Sequence, residues 1–366
     1  MDRHSLFLGL TWLLVASSAQ GQDRLSVASI LGDYGVADVV PSLDHSGSLP
    51  KAPIPERVEV GSSSDSLFAL RKRDRRYRVD GGYEFGWLQP RFSDNVSVVV
   101  SRPSGDQAYA FDHQFEITSR LWVGIENDRC AGIRARYWDL NTDAPKQVTF
   151  ALAGAAPLSL TIEGGGGNLS RTAVANAGEV MTSTHHLEMR TIDLEGTQRI
   201  NFACTQTIAS FGLRYAQTQQ RSHAVATNGA GAVSELVCQD LDFEGFGPTT
   251  SIEMTRGMFA ANSILCRLSF YANARGSILF GQQQQQIVLV TGGGASLAED
   301  EYVHDSLLPI AELVGGLQWV GQPLGRGRWT IRTGYRAESW FGAGGPINTS
   351  SNLGLHGMVL SIAARW

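Results

Sequence analysis

The chain has 366 residues, 43% of them hydrophobic, with a formal net charge of −5 and a mean hydropathy of −0.10. This length allows one large domain or two ordinary ones, and the acidic balance argues against nucleic acid as a main partner. No run reaches the roughly 18 apolar residues of a membrane helix.

Taken in chain order, the first stretch, "MDRHSLFLGLTWLLVASSAQG", has the layout of a secretory signal peptide. Arg3 supplies the charge, Leu6 to Ala16 the apolar core, and Ala19-Gln20-Gly21 the small residues of a cleavage site. Residues 1–21 are therefore expected to direct export. Residues 22–78 are rich in Pro, Ser and Gly and lack periodicity, which predicts a flexible N-terminal segment on the periplasmic side. It closes on "RKRDRRYR" (71–78), a basic run suited to anionic headgroups or to solvent.

From Val79 onward the pattern is period two, the strand signature. In 111–125, Phe115, Ile117, Leu121, Val123 and Ile125 share one parity, while Glu116, Arg120 and Trp122 take the other. In 264–280, Leu268, Phe270, Ala272, Ile278 and Phe280 oppose Arg267, Tyr271, Asn273 and Arg275. Such runs match or exceed the ~9–11 residues of a tilted membrane strand. The segments are 79–101, 109–126, 131–141, 185–200, 207–223, 240–255, 263–281, 307–321, 328–343 and 354–366.

One apolar and one charged face fit either a sandwich or the wall of a membrane barrel. A solvated sandwich face would carry lysine, yet only Lys51, Lys72 and Lys146 occur. The 41 glycines, well above the usual ~7%, and the aromatic strand ends also favour the barrel. The expected fold is all-β: a transmembrane antiparallel up-and-down β-barrel of about ten strands over 79–366. Short connections alternate with longer ones (102–108, 142–184, 224–239, 282–306, 344–353), which places the N- and C-termini in the periplasm. Parity breaks at Pro90, near Thr191 and at 245–248 read as bulges or bends.

"GYEFGWLQPRF", "GIENDRCAGIRARYW", "LPIAELVGGLQW" and the terminal "LHGMVLSIAARW" resemble the pore-forming outer-membrane proteins first described in Legionella, in particular branches from planctomycete-like bacteria. The resemblance covers roughly 79–366. It implies the bacterial outer membrane as location, pore formation as activity, no catalytic residues, and barrel-assembly machinery as a partner. That machinery would read the last strand through outward Met358, Leu360, Ile362 and the final Trp366; the tryptophan ring also suits the membrane interface.

With the polar parity inward, the lumen is expected to be lined by Glu84, Glu116, Arg120, Arg134, Arg136, Asp193, Glu195, Arg214, Glu253, Arg267, Arg275, Glu312, Arg332, Arg336 and Glu338. The signs nearly balance, so cross-lumen ion pairs are expected in a ring narrow enough for side chains to fill. The expected function is a narrow pore for passive passage of small solutes or ions through outer-membrane lipid. The alternative is a sealed structural or adhesion barrel presenting loop 142–184. A soluble secreted sandwich stands further off.

Enzyme motifs are thin. His185 and His186 sit beside the loop holding Asp143, and a His–Asp pair can activate water, but adjacent strand residues face opposite sides. The glycine clusters at 162–168 and 291–296 lack the strand–helix setting of a nucleotide site. Cys130, Cys204, Cys238 and Cys266 are too scattered for a metal site or a disulfide framework. No enzyme activity, cofactor or metal is expected. "GQQQQQI" (281–287) either extends a strand or begins a loop.

Overall fold

The computed structural model describes residues 77–101, 105–152, 157–165, 170–202, 205–258, 267–294, 296–321 and 327–366, all within one compact unit, Pro55–Trp366. The expected signal segment and nearly all of 22–78 lie outside the described residues.

β1 (Arg78–Phe92) leads through two short strands, β2 (Val98–Val100) and β3 (Gln107–Tyr109), to β4 (Glu116–Glu126) and β5 (Ala131–Asp143). Three more short strands follow: β6 (Gln147–Phe150), β7 (Leu158–Glu163) and β8 (Ser170–Ala175). Then come the long strands β9 (Val180–Phe202), β10 (Thr205–Thr227), β11 (Val233–Gly257), β12 (Leu268–Thr291) and β13 (Ser296–Val320), and finally β14 (Arg328–Trp340) and β15 (Leu353–Arg365). β1, β4, β5 and β9 to β15 form a ring in chain order, with every neighbouring pair antiparallel. β15 returns to β1, and Val79 and Trp366 exchange backbone hydrogen bonds of 3.2 and 2.9 Å at the seam. The ten-strand ring leaves no open edge, the condition for a sheet that crosses lipid.

Alternation sorts the side chains. Trp87, Leu121, Leu213, Phe246, Phe280, Leu313, Tyr335 and Met358 point outward and are exposed, while Arg120, Arg214, Arg275 and Glu312 point inward and are buried. On β12 the outward apolar run spans Phe270 to Phe280, which at ~3.3 Å per residue and a ~40° tilt is about 25 Å. A continuous belt of exposed apolar residues of that height is tolerable only in lipid. The last strand presents Met358, Leu360, Ile362 and Trp366 to this outer face.

Away from the termini, β9 to β13 continue past the belt as a polar half-wall. Its outward residues are Glu188 and Arg190, Gln217 and Gln219, Asp242 and Glu244, Gln282 and Gln284, and Glu299 and Glu301. Against its inner face lies a second sheet, in the order β3-β2-β7-β8. Leu158, Leu160 and Ile162 of β7 and Ala173 and Ala175 of β8 pack there with Ala224, Ala226, Val237 and Ile287 of the wall.

Several expectations need correction. β1 ends at Phe92 and β4 begins at Glu116, so the first far-side connection is 93–115 rather than 102–108. Segments 224–239 and 282–306 are not loops. They are the outer ends of β10–β11 and β12–β13, closed by tight turns, and the glutamine run continues β12. Residues 142–184 hold three short strands and the start of β9 rather than one open loop. The expected bulges are absent as well. Pro90 pairs in unbroken register with Leu355, beyond the point (Leu88) where β4 stops pairing, so its missing N–H breaks no β4 bond. Pairing is continuous through Thr191 and, with β10, across 245–248; against β12 it lapses at Gly247 and Pro248 and resumes in the same register. What changes there is the environment: above the belt the apolar residues Leu187 and Met189 turn inward and the charged ones outward.

Two turns share one design. Asn127 accepts from the amides of Arg129 and Ala131 at 2.9 and 3.1 Å, and Asn228 from Ala230 and Ala232, both at 3.0 Å. The fourth residue is left-handed in both, Gly231 at φ 81 and Cys130 at φ 62.

Candidate functional site

The lumen is layered. Nearest the termini lies a polar vestibule, a cavity of about 230 Å³ whose lining includes Glu84, Arg120, Arg134, Arg136, Arg332 and Arg365. Short strand-to-strand spacing and strict alternation bring these side chains into one space although they come from different strands.

Glu312 is its hub. Arg120 donates to Glu312 at 2.7 Å, and Arg336, Arg275 and Arg214 stand 3.5, 3.8 and 4.0 Å from its carboxylate. Arg214 grips Asp193 with two bonds, 2.7 and 3.0 Å, the parallel geometry a guanidinium favours. Arg275 bridges Asp193 at 2.8 Å and also pairs with Glu195. Glu195 further takes Arg134 at 3.0 Å and Arg136 at 3.7 Å, while Glu253 takes Arg332 at 2.6 Å and Arg134 at 3.8 Å. Arg336 also pairs with Glu84. Glu338 accepts from the Trp340 indole at 2.9 Å, where the polar layer meets the next.

Two of the expected lining residues stand apart from this network. Glu116 points inward at the start of β4, opposite Leu88 and above the charged layer. Arg267 stands one residue before β12, at the termini-side rim, where its carbonyl accepts from the Val320 amide at 3.1 Å. Sequence reading also missed a rim cluster in which buried Glu126 takes Arg365 at 2.6 Å, Arg199 at 2.8 Å and Arg78 at 3.9 Å. Extending the parity Arg120, Trp122, Gly124 by one step reaches Glu126, so the signal was there.

Above the charged layer the interior is apolar. Leu88, Trp138, Leu140, Leu187, Met189, Phe243, Leu279, Ile310, Trp340 and Leu355 form one buried cluster across the lumen. Beyond it, inward glutamines hold the far-side connections. Gln220 donates to the Ala343 carbonyl at 3.0 Å, Gln239 to Gly345 at 3.4 Å, and Gln283 to Thr349 at 3.3 Å. Gln285 donates to Glu163 at 3.0 Å and accepts from the Gly165 amide at 2.7 Å.

His185 and His186 face opposite sides as strand geometry requires. His185 is buried and shares a 3.1 Å hydrogen bond with His113 of the 93–115 connection, with both rings packed against Phe92. Burial lowers the His113 pKa to about 4 and holds His185 well below the usual imidazole range. His186 pairs with Asp143 at 2.8 Å on the outward wall, where Asp143 is largely exposed. The described cysteines, Cys130 and Cys238, carry free thiols.

The sequence matches, over residues 80–364, the family model of the Legionella pneumophila major outer membrane protein precursor. No curated protein matches it. Among solved structures, the outer membrane protease OmpT of Escherichia coli is similar at 6% identity and a TM-score of 0.41, covering 79% of this chain and 96% of that one. A Pseudomonas aeruginosa FadL homologue (6% identity, TM-score 0.23) and the Pseudomonas putida toluene transporter TodX (8%, 0.25) each align over 79% of this chain and 90% and 89% of theirs.

Proposed function

The chain belongs to the Legionella pneumophila major outer membrane protein family and is an outer-membrane β-barrel, and from this we propose that it is a narrow, constricted pore for passive passage of small solutes or ions. The observation that carries the reading is the vestibule. A barrel needing only stability gains nothing from a charged cavity inside its ring, since buried charges cost more to desolvate than apolar packing does. A solute path does need polar walls.

In this reading both termini are periplasmic, because the turns on their side are short in the manner of bacterial barrels. The vestibule opens to the periplasm and the polar half-wall stands outside the cell. The outward face of β15 is what the assembly machinery reads. The reading includes no catalysis: the His186–Asp143 pair lies on the convex wall, outside any described cavity.

A second reading, a sealed barrel presenting its outer wall and the β7–β8 hairpin, is favoured by the apolar layer, which leaves a hydrated solute no polar path. Liposome swelling separates the two. Vesicles carrying the refolded full chain should admit the smallest neutral solutes and exclude disaccharides. Exclusion of every solute by protein with heat-modifiable gel mobility would favour the sealed barrel.

A further inference from the structure

The vestibule is not charge-balanced at its surface. Eight arginines but only four carboxylates line the cavity. The carboxylates behind the lining are already shared: Glu195 serves Arg134, Arg136 and Arg275, and Glu126 serves Arg199 and Arg365. Arg328 is exposed, and among the lining arginines that pair with an acid Arg136 is the least committed. Among the described residues the one acid within 4 Å is Glu195 at 3.7 Å, and that carboxylate is held more closely by Arg134. Arg336, almost fully buried in the cavity wall, leaves its Nη1 without an acceptor. A surplus of guanidinium groups lining a space of about 230 Å³ is a ready recognition set for a small oxyanion, which two N–H groups of one fork can grip.

We infer that the vestibule binds a small free oxyanion of phosphate size, held by Arg136 and Arg336 with Arg365 at the mouth. The cavity lies inside the strand ring, so a lipid headgroup could reach it only by drawing its acyl chains out of the bilayer. The site gives the proposed pore a preference for anions on its termini side. It exists whether or not the lumen conducts, so binding and conductance test separate statements.

Isothermal titration of the refolded full chain with sodium phosphate, at constant ionic strength set by sodium chloride, reads the site directly. Saturable binding is expected, weakened at least tenfold in Arg136→Gln. Should that variant not fold, Arg365→Gln takes its place, since Arg199 still holds Glu126 there. Arg91→Gln, exposed on the outer face of β1, removes the same charge and should leave binding unchanged. Absence of saturable phosphate binding by folded protein overturns the inference, as does equal binding by wild type and the vestibule variant. Neither outcome bears on whether the barrel conducts.

Discussion

At the scale of single residues, Cys130 and Glu312 show opposite balances. Cys130 occupies a left-handed turn position that Gly231 fills in the matching turn, and a side chain there costs roughly 1–2 kcal/mol. Cys130→Gly should therefore raise stability by about 1 kcal/mol, read as a higher temperature for the heat-modifiable gel shift; a lower one would mean that the thiol makes a contact of greater worth. Glu312 is surrounded by four buried arginines. Glu312→Gln keeps the shape but leaves those cations facing each other, so a loss of about 3–5 kcal/mol is expected, visible as a lower urea midpoint of detergent-folded protein. An unchanged midpoint would show that the network relaxes around the missing charge.

At the scale of elements, the outward belt and the half-wall are continuous strands in different solvents. Leu313 lies mid-belt on β13 and is 61% exposed, whereas Glu299, on the same strand and face, stands above the belt. Leu313→Lys should cost about 2–4 kcal/mol of folding into lipid, and Glu299→Lys close to nothing; equal effects would move the belt. The solvent change also explains what could and could not be read beforehand. Strand number and inward parity were legible because within the belt only one face is polar. Above it the wall is polar outside and mixed inside, so Gln282 to Gln286 fitted a strand extension or a loop equally well, and Leu187 and Met189 looked like a parity slip. Rim residues such as Glu126 escaped because strand ends are the least determined part of a periodic pattern.

The His113–His185 contact ties the 93–115 connection to β9. Both histidines are neutral when buried, with folded pKa values below the ordinary ~6.5. For a base so lowered, the unfolded or released form takes up the proton first. The stabilisation is then present above pH ~6.5 and is lost as pH falls toward 4. Asp112 and Asp143 oppose the shift at His113, while His186 and His223 reinforce it at His185. Protease cleavage within 93–115 should accelerate between pH 6.5 and 4 in wild type, and this acid dependence should flatten in His113→Asn. Cleavage independent of pH in wild type would remove the histidine pair from the account.

At the scale of the whole molecule, the layers set the behaviour. Near the termini the charged groups form one shared network in which arginine is in excess, an apolar layer crosses the lumen, and glutamine-clamped connections fill the far mouth. Conduction through such a lumen is limited at the apolar layer, where Trp138 and Trp340 are the largest buried side chains. The most direct test is single-channel conductance in planar bilayers of the refolded full chain beside Trp340→Ala. Wild type is expected to give small, discrete steps and the variant distinctly larger ones. Silence from both, in protein shown to be folded, would contradict the pore and leave a sealed barrel.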